Sequence, residues 1–191
     1  MAAHTNISAY ILCGGKSTRM QQEKGLVLYK GKPFVQHIID AVKPLTESLT
    51  LVTSNAAYHR FGYPLLGDIY KDKGPVGGIY SALHHSQTDQ VLVLSCDIPN
   101  ITTQVLERYL FSNSSKNDVT YLVTHSHECP LVGIYAKHLV PVFKNALHDN
   151  ALRLLELIQK QDTKTIQVAP PDEHFIRNIN TQQELESLIH I

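Results

Sequence analysis

The chain has 191 residues, with 17 basic and 17 acidic side chains and hence no formal net charge. That balance excludes the broad basic field of a nucleic-acid binder, and a composition of 43% apolar and 18% charged residues excludes a disordered segment. One domain over residues 1–191, long enough to bury a sizeable core, is the expectation.

No apolar run approaches the roughly 18 residues that would suggest a membrane span. The opening MAAHTNIS lacks a basic stretch followed by an apolar one, so no secretory leader is expected. Cys13, Cys96 and Cys129 are odd in number and form no CxxC pair. They suit reduced thiols, and these features together predict a cytoplasmic protein with neither a membrane nor a nucleic-acid partner.

In chain order, ISAYILC (Ile7–Cys13) reads as a buried strand feeding a glycine loop. GKPFVQHIIDAVKPL predicts an amphipathic helix: Pro33 suits its first turn, and Phe34, Ile38 and Val42 fall on one face with Val35 and Ile39 beside them. Leu49–Asn55 is a strand. Gly74–Ser86 starts as a glycine-rich loop and becomes helical. Val91–Asp97 is a strand closed by a carboxylate, and Thr102 caps the helix TQVLERYL. Ser112–Asp118 is a polar loop, and VTYLV and LVGIYA are strands joined by THSHECP. Helices follow over Lys137–Leu147 and Ala151–Gln159, then a short strand near Ile166–Val168 and a final helix in TQQELESLI. The alternation predicts an α/β fold: a doubly wound, mainly parallel sheet with helices on both faces.

In such a sheet, ligands sit outside the carboxyl ends of the strands. Three of those ends carry polar or glycine residues: CGGKSTRM, Ser54–Asn55, and CDIP at Cys96–Pro99. The run GGKST invites a P-loop reading, but the position five before Gly15 is Tyr10, where that motif needs glycine. Gly14 and Gly15 would instead let backbone N–H groups approach an anion, with Arg19 and Lys24 supplying full charge. A phosphate chain fits. Asp97 ends a buried strand, where an unpaired carboxylate is costly. It is either a ligand for Mg²⁺ bridged to phosphate oxygens or the cap of a turn before Pro99.

Other candidates are weaker. His125, His127 and Cys129 in HSHEC are zinc-ligand types, yet no second cluster completes four ligands, so a solvated hairpin loop is the plainer reading. Ser17 and Thr18 have no general-base partner that would make them nucleophiles.

The motif LCGGKSTRM…EK followed by GKP resembles the consensus LAGGxSxRMGxDK…GKPL of nucleotidyltransferases. GPVGGIYSAL, SCDIP and NINTQQEL are similar to the molybdenum cofactor guanylyltransferase branch, and the resemblance runs from Ile11 to Leu185. It implies a Rossmann-like fold that binds GTP with Mg²⁺ and transfers GMP to the terminal phosphate of the molybdopterin cofactor, releasing pyrophosphate. Molybdoenzymes that receive the product would be further partners.

By the same resemblance, Leu12, Cys13 and Gly14 contact the nucleotide through backbone groups, and Gly15 and Arg19 lie along its triphosphate. Lys24 also contacts the nucleotide, and Asp68 helps to hold the nucleoside. Asp97 is the magnesium ligand, and Asn178 and Asn180 lie near the pterin-bearing substrate. Arg19, Lys24 and Asp97 form the expected catalytic set. The attacking phosphate oxygen is already ionised, so no general base is needed.

Cys13, Gln21 and Glu23 depart from the usual alanine, glycine and aspartate. Thr53 stands where some members carry asparagine, which leaves Asn55 as a weaker candidate. Two other enzymes fit the same motifs, a cytidylyltransferase of the same cofactor and a sugar-phosphate nucleotidyltransferase. A non-catalytic nucleotide-binding adaptor that delivers cofactor is the alternative from another class.

Overall fold

The computed structural model describes residues 6–14, 23–113 and 116–189. β1 (Ile7–Leu12) is buried throughout, and its alternating side chains serve two cores. Ile7, Ala9 and Ile11 join one cluster while Tyr10 and Leu12 join the other. β2 (Leu28–Tyr29) and β3 (Lys32–Pro33) then form a small hairpin that the sequence pattern did not signal. Its turn places Lys30 at φ 47° and Gly31 at φ 77°, both left-handed as a tight hairpin turn requires. Pro33 ends this hairpin and precedes the helix rather than standing in its first turn. In α1 (Phe34–Val42), Phe34, Val35, Ile38, Ile39 and Val42 are all buried, as their spacing predicts.

β4 (Ser48–Val52) and β5 (Leu65–Leu66) flank a 3-10 segment, Ala56–Phe61. The helix α2 (Gly74–His85) begins at the first glycine, so Gly74–Gly78 belongs to the helix rather than to a loop. Close packing explains the glycines. A Cβ on Gly77 would lie 3.0 Å from the Tyr70 carbonyl oxygen, and one on Gly78 3.3 Å from Leu12 Cδ2. β6 (Gln90–Ser95) leads to α3 (Thr103–Tyr109), where the Val105 N–H donates to Thr102 Oγ1 at 3.3 Å.

β7 (Val119–Val123) and β8 (Glu128–Ala136) form an antiparallel hairpin, with β8 starting at Glu128 rather than Leu131. After a 3-10 turn come α4 (Val140–His148) and α5 (Leu154–Ile158). α5 is shorter than its apolar spacing suggests. Asn150 at φ 56° closes α4, and the backbone is still extended at Arg153. β9 (Thr163–Gln167) and α6 (Gln182–Ile189) complete the chain.

The seven-stranded sheet has the order β5-β4-β1-β6-β8-β7-β9. β5, β4, β1 and β6 run parallel, β8 runs against both β6 and β7, and β9 is parallel to β7. α1 and α3 cover one face, and α2, α4 and α5 the other. The mainly parallel, doubly wound expectation therefore holds, with β8 reversed. A third small cluster of Val27, Tyr29, Phe34, Ile179 and Leu185 ties the β2–β3 hairpin to α6. Among the described residues, no helix is long and apolar enough to cross a membrane.

Candidate active site

The parallel strands β5, β4, β1 and β6 end along one edge of the sheet, and the residues after them form a row. Asp68 follows β5, Thr53 follows β4, Cys13 and Gly14 follow β1, and Cys96 and Asp97 follow β6. Three strand spacings separate the outer members, about 14 Å. The reversed strand β8 brings its beginning, Glu128 and Cys129, to this same edge.

At the β6 end, two charges meet. Lys24 Nζ lies 2.8 Å from Asp97 Oδ2, and the side chains are 19% and 10% exposed. Neither charge is solvated well enough to stand alone there, so each depends on the other. Lys24 Nζ also donates to Asn180 Oδ1 at 2.5 Å, and Ser95 Oγ donates to Asp97 Oδ1 at 2.6 Å. Both carboxylate oxygens are thus engaged by side chains rather than by the turn before Pro99. The burial cost expected of Asp97 is met by the protein itself.

Lys24 and Asn180 reach this point through two local devices. Lys24 opens a 3-10 turn, Lys24–Leu26, and Gly25 beside it is buried against Tyr58. A Cβ at Gly25 would collide with the Tyr58 hydroxyl, so only glycine lets the turn sit this low. On the other side, the Ile179 N–H donates to the Asp97 carbonyl oxygen at 2.8 Å. Glu184 Oε2 accepts from the N–H groups of Asn180 at 2.6 Å and Thr181 at 3.0 Å, while the Glu184 N–H donates to Thr181 Oγ1 at 3.1 Å. This is a capping box at the start of α6. The Asn180 and Thr181 N–H groups hold the Glu184 carboxyl below its ordinary value.

The opposite end of the row is built differently. Asp68 Oδ1 is buried without a hydrogen-bond partner, beside Gly78 and the end of Leu12. Burial pushes its carboxyl above the ordinary value. Between the two ends, a Cβ on Gly14 would meet no atom of the described residues beyond its chain neighbours within 4 Å. The backbone there faces open space. Cys13, buried at the centre of the row, has its thiol pushed up, first by burial and then by the neighbouring Cys96.

A cleft of about 1040 Å³ opens beside Asn180, between the β7–β8 hairpin, α5 and the segment before α6. Arg153, Arg177, His127, Glu128, Cys129 and Asn178 are among its lining residues. A register shift between Tyr121 and Leu122 makes a bulge in the hairpin. Tyr135 Oη donates to the Pro130 carbonyl oxygen at 2.7 Å and fixes the bulged segment in the cleft wall. Burial, then Glu173 and Asp97, pushes the Cys129 thiol up to about 11, so it stays protonated at neutral pH.

Of the residues singled out from sequence, Lys24, Asp97 and Asn180 are in direct contact, and Asn178 lines the adjoining cleft. Leu12, Cys13 and Gly14 occupy the middle of the row and Asp68 its far end. Gly15 and Arg19 lie outside the described residues, as do Ser17, Thr18 and Gln21. Asn55 Oδ1 accepts the Ala57 N–H at 2.9 Å and so serves as a cap. Among the described residues, His125 and His127 belong to no group that could hold a metal. Ser95, Glu184, Arg153 and Arg177 were missed. TQQE was readable as a capping box and Ser95 sits two before Asp97, but nothing local marks the arginines.

Known proteins bear on this arrangement. A family model described as the MobA-like NTP transferase domain matches residues 9–165. A protein of Flavobacterium johnsoniae named a probable molybdenum cofactor guanylyltransferase is 41% identical over 182 residues, covering 95% of this chain and 96% of its own length. The molybdenum cofactor guanylyltransferase of Vibrio campbellii is 34% identical, covering 97% of this chain and 96% of its own. The solved structure of molybdopterin-guanine dinucleotide biosynthesis protein A from Archaeoglobus fulgidus shares the fold, with a TM-score of 0.81 at 21% identity over 94% of this chain and 95% of that one. A protein of Aquifex aeolicus also reaches 0.81, at 24% identity over 94% of this chain and 96% of that one. By sequence over nearly its whole length, and with a fold to match, the chain belongs to the molybdenum cofactor guanylyltransferase family of nucleotidyltransferases.

Proposed function

We propose that the Lys24–Asp97 end of the strand row carries the guanylyl transfer for which the family is named. GMP passes from GTP to the terminal phosphate of the molybdenum–molybdopterin cofactor. A cofactor phosphate oxygen forms a bond to the α-phosphorus, the bond from that phosphorus to the bridging oxygen breaks, and pyrophosphate leaves. The observation that carries this reading is the meeting of Lys24, Asp97 and Asn180 at the end of β6, beside a large cleft.

The roles are those the family resemblance implies, and the positions of Gly14, Lys24, Asp68, Asp97, Asn178 and Asn180 support them. Backbone groups of Leu12, Cys13, Gly14 and Gly15 hold the nucleotide, where no Cβ at Gly14 intervenes. The buried Asp68 Oδ1 accepts a hydrogen bond from the nucleoside, which satisfies an otherwise unpaired atom. Arg19 and Lys24 offset the charge that develops on the α-phosphate and the leaving pyrophosphate. Asn178 and Asn180 face the cofactor in the cleft.

Asp97 fits a hard divalent ion, here Mg²⁺. It is a buried carboxylate at the end of the strand row, and it belongs to no group of three or more metal-binding side chains among the described residues. Mg²⁺ held largely by phosphates and water suits such a site. When bound, it supplies Lewis acidity at the phosphate oxygens. We place the protein in the cytoplasm on its unpaired cysteines, treat residues 1–191 as one domain on its single continuous main sheet, and expect molybdoenzymes to receive the product.

The test is a thermal-shift panel with Mg²⁺ and each of GTP, CTP, ATP and UTP, followed by transfer to the cofactor. GTP at 100-fold above Kd stabilises the native state by about 2.7 kcal/mol, and GMP appears on the cofactor with stoichiometric pyrophosphate. A preference for CTP overturns the base assignment, and GTP bound without turnover in the presence of cofactor favours a delivery adaptor.

A further inference from the structure

Resting on the reading of Asp97 as the metal ligand, we propose that Lys24 competes with the metal. Its ammonium occupies the cation position on Asp97 Oδ2, so the site takes a divalent ion together with the nucleotide and resists one that arrives alone.

Three observations carry this. First, Lys24 Nζ sits 2.8 Å from Asp97 Oδ2, while Oδ1 accepts from Ser95 Oγ at 2.6 Å, so each carboxylate oxygen already has a donor. Second, Lys24 is anchored twice, since Asn180 Oδ1 accepts from the same nitrogen. Asn180 is itself fixed by the carboxylate of Glu184 and by its neighbour's bond to the Asp97 carbonyl oxygen. Third, Asp97 belongs to no group of three or more metal-binding side chains among the described residues.

The charges then add simply. One carboxylate and one ammonium sum to zero, and a divalent ion entering that pair is left with two uncompensated charges in a poorly solvated place. A triphosphate changes the sum, because it offsets the metal and offers Lys24 a new anionic partner. The lysine moves from carboxylate to phosphate while Asn180 still holds it on one side. Asn180 is in this sense a positioning residue, keeping the ammonium within reach of both.

The experiment measures Mn²⁺ affinity by electron paramagnetic resonance, with and without GTP, on the full chain. Without nucleotide, Lys24→Met is expected to bind Mn²⁺ roughly 10-fold more tightly than wild type. Asn180→Ala, which loosens the ammonium and leaves Asp97 intact, gives a smaller gain in the same direction. With GTP the sign reverses, and Lys24→Met retains the Mn²⁺–nucleotide complex more weakly than wild type. Equal or weaker Mn²⁺ binding by both variants without nucleotide overturns the competition, provided that Asp97→Asn abolishes binding. Should Asp97→Asn bind Mn²⁺ as wild type does, the metal assignment itself fails. Asn180→Ala serves as the reading if Lys24→Met does not fold.

Discussion

Two carboxylates close the two ends of one strand row, and their surroundings are opposite. Asp97 meets an ammonium and a hydroxyl, and its backbone carbonyl is bonded as well. Asp68 keeps one buried oxygen with no hydrogen-bond partner among the described residues. The first is an ion pair assembled within the protein and held in place. The second is a buried acceptor without a partner among the described residues, and one unsatisfied atom of this kind costs about 1–3 kcal/mol. A site that must manage a phosphate chain needs the first kind of end, and one that must recognise a nucleoside's donors is served by the second.

Breaking the charged end has the largest expected effect. Asp97→Asn lowers turnover roughly 10²–10³-fold while circular dichroism and melting show a folded protein. Near-normal turnover would remove Asp97 from the mechanism. Ser95→Ala leaves the charge and removes only the hydroxyl that orients it, so Mg²⁺ affinity measured in the presence of GTP falls roughly 10-fold, the scale of losing an outer partner of a ligand. An unchanged affinity would mean that the Lys24 contact alone orients the carboxylate.

Gly25→Ala tests the support beneath Lys24. The new Cβ meets the Tyr58 hydroxyl, and because that ring is fully buried the turn must rise, at about 1–3 kcal/mol. Melting falls by several degrees and turnover falls with it, whereas a pairing with Tyr58→Phe restores part of both.

At the unfilled end the sign reverses. Asp68→Asn removes a buried anion, so the variant melts about 2–4 °C higher at neutral pH while binding GTP less tightly. The native Asp68 carboxyl titrates above its unfolded value, so it destabilises the fold once pH exceeds the ordinary carboxylate range. The advantage of the variant therefore vanishes in acid, where both side chains are neutral, and a gain that persists there would place its origin elsewhere. Glu184 behaves the other way: its value is lowered in the native state, so its contribution is present above the ordinary glutamate range and is lost as pH falls. Glu184→Ala costs about 1 kcal/mol or less at neutral pH, read from chemical denaturation. Glu184→Gln, which can rebuild the capping box, recovers most of it.

The sequence was most legible where chemistry is local. Continuous apolar runs marked β1 and β6, four-residue spacing marked the buried face of α1, and Thr102 marked the start of α3, because each signal is set by residues close in the chain. The β2–β3 hairpin escaped notice because its strands are two residues long and its turn is Lys-Gly rather than Asn-Gly. The full extent of β8 was hidden by the bulge, which breaks its alternation.

By itself, then, the amino-acid order determined the α/β class, the glycines that follow β1 and the identity of the charged residues, since periodicity, backbone freedom and formal charge belong to residue types. Tertiary structure decided who meets whom. Lys24 and Asp97 are 73 positions apart and Lys24 and Asn180 are 156 apart, so their contacts exist only once the sheet and α6 are in place. The same holds for the unpaired oxygen of Asp68, because burial is a property of the folded surroundings and not of an aspartate.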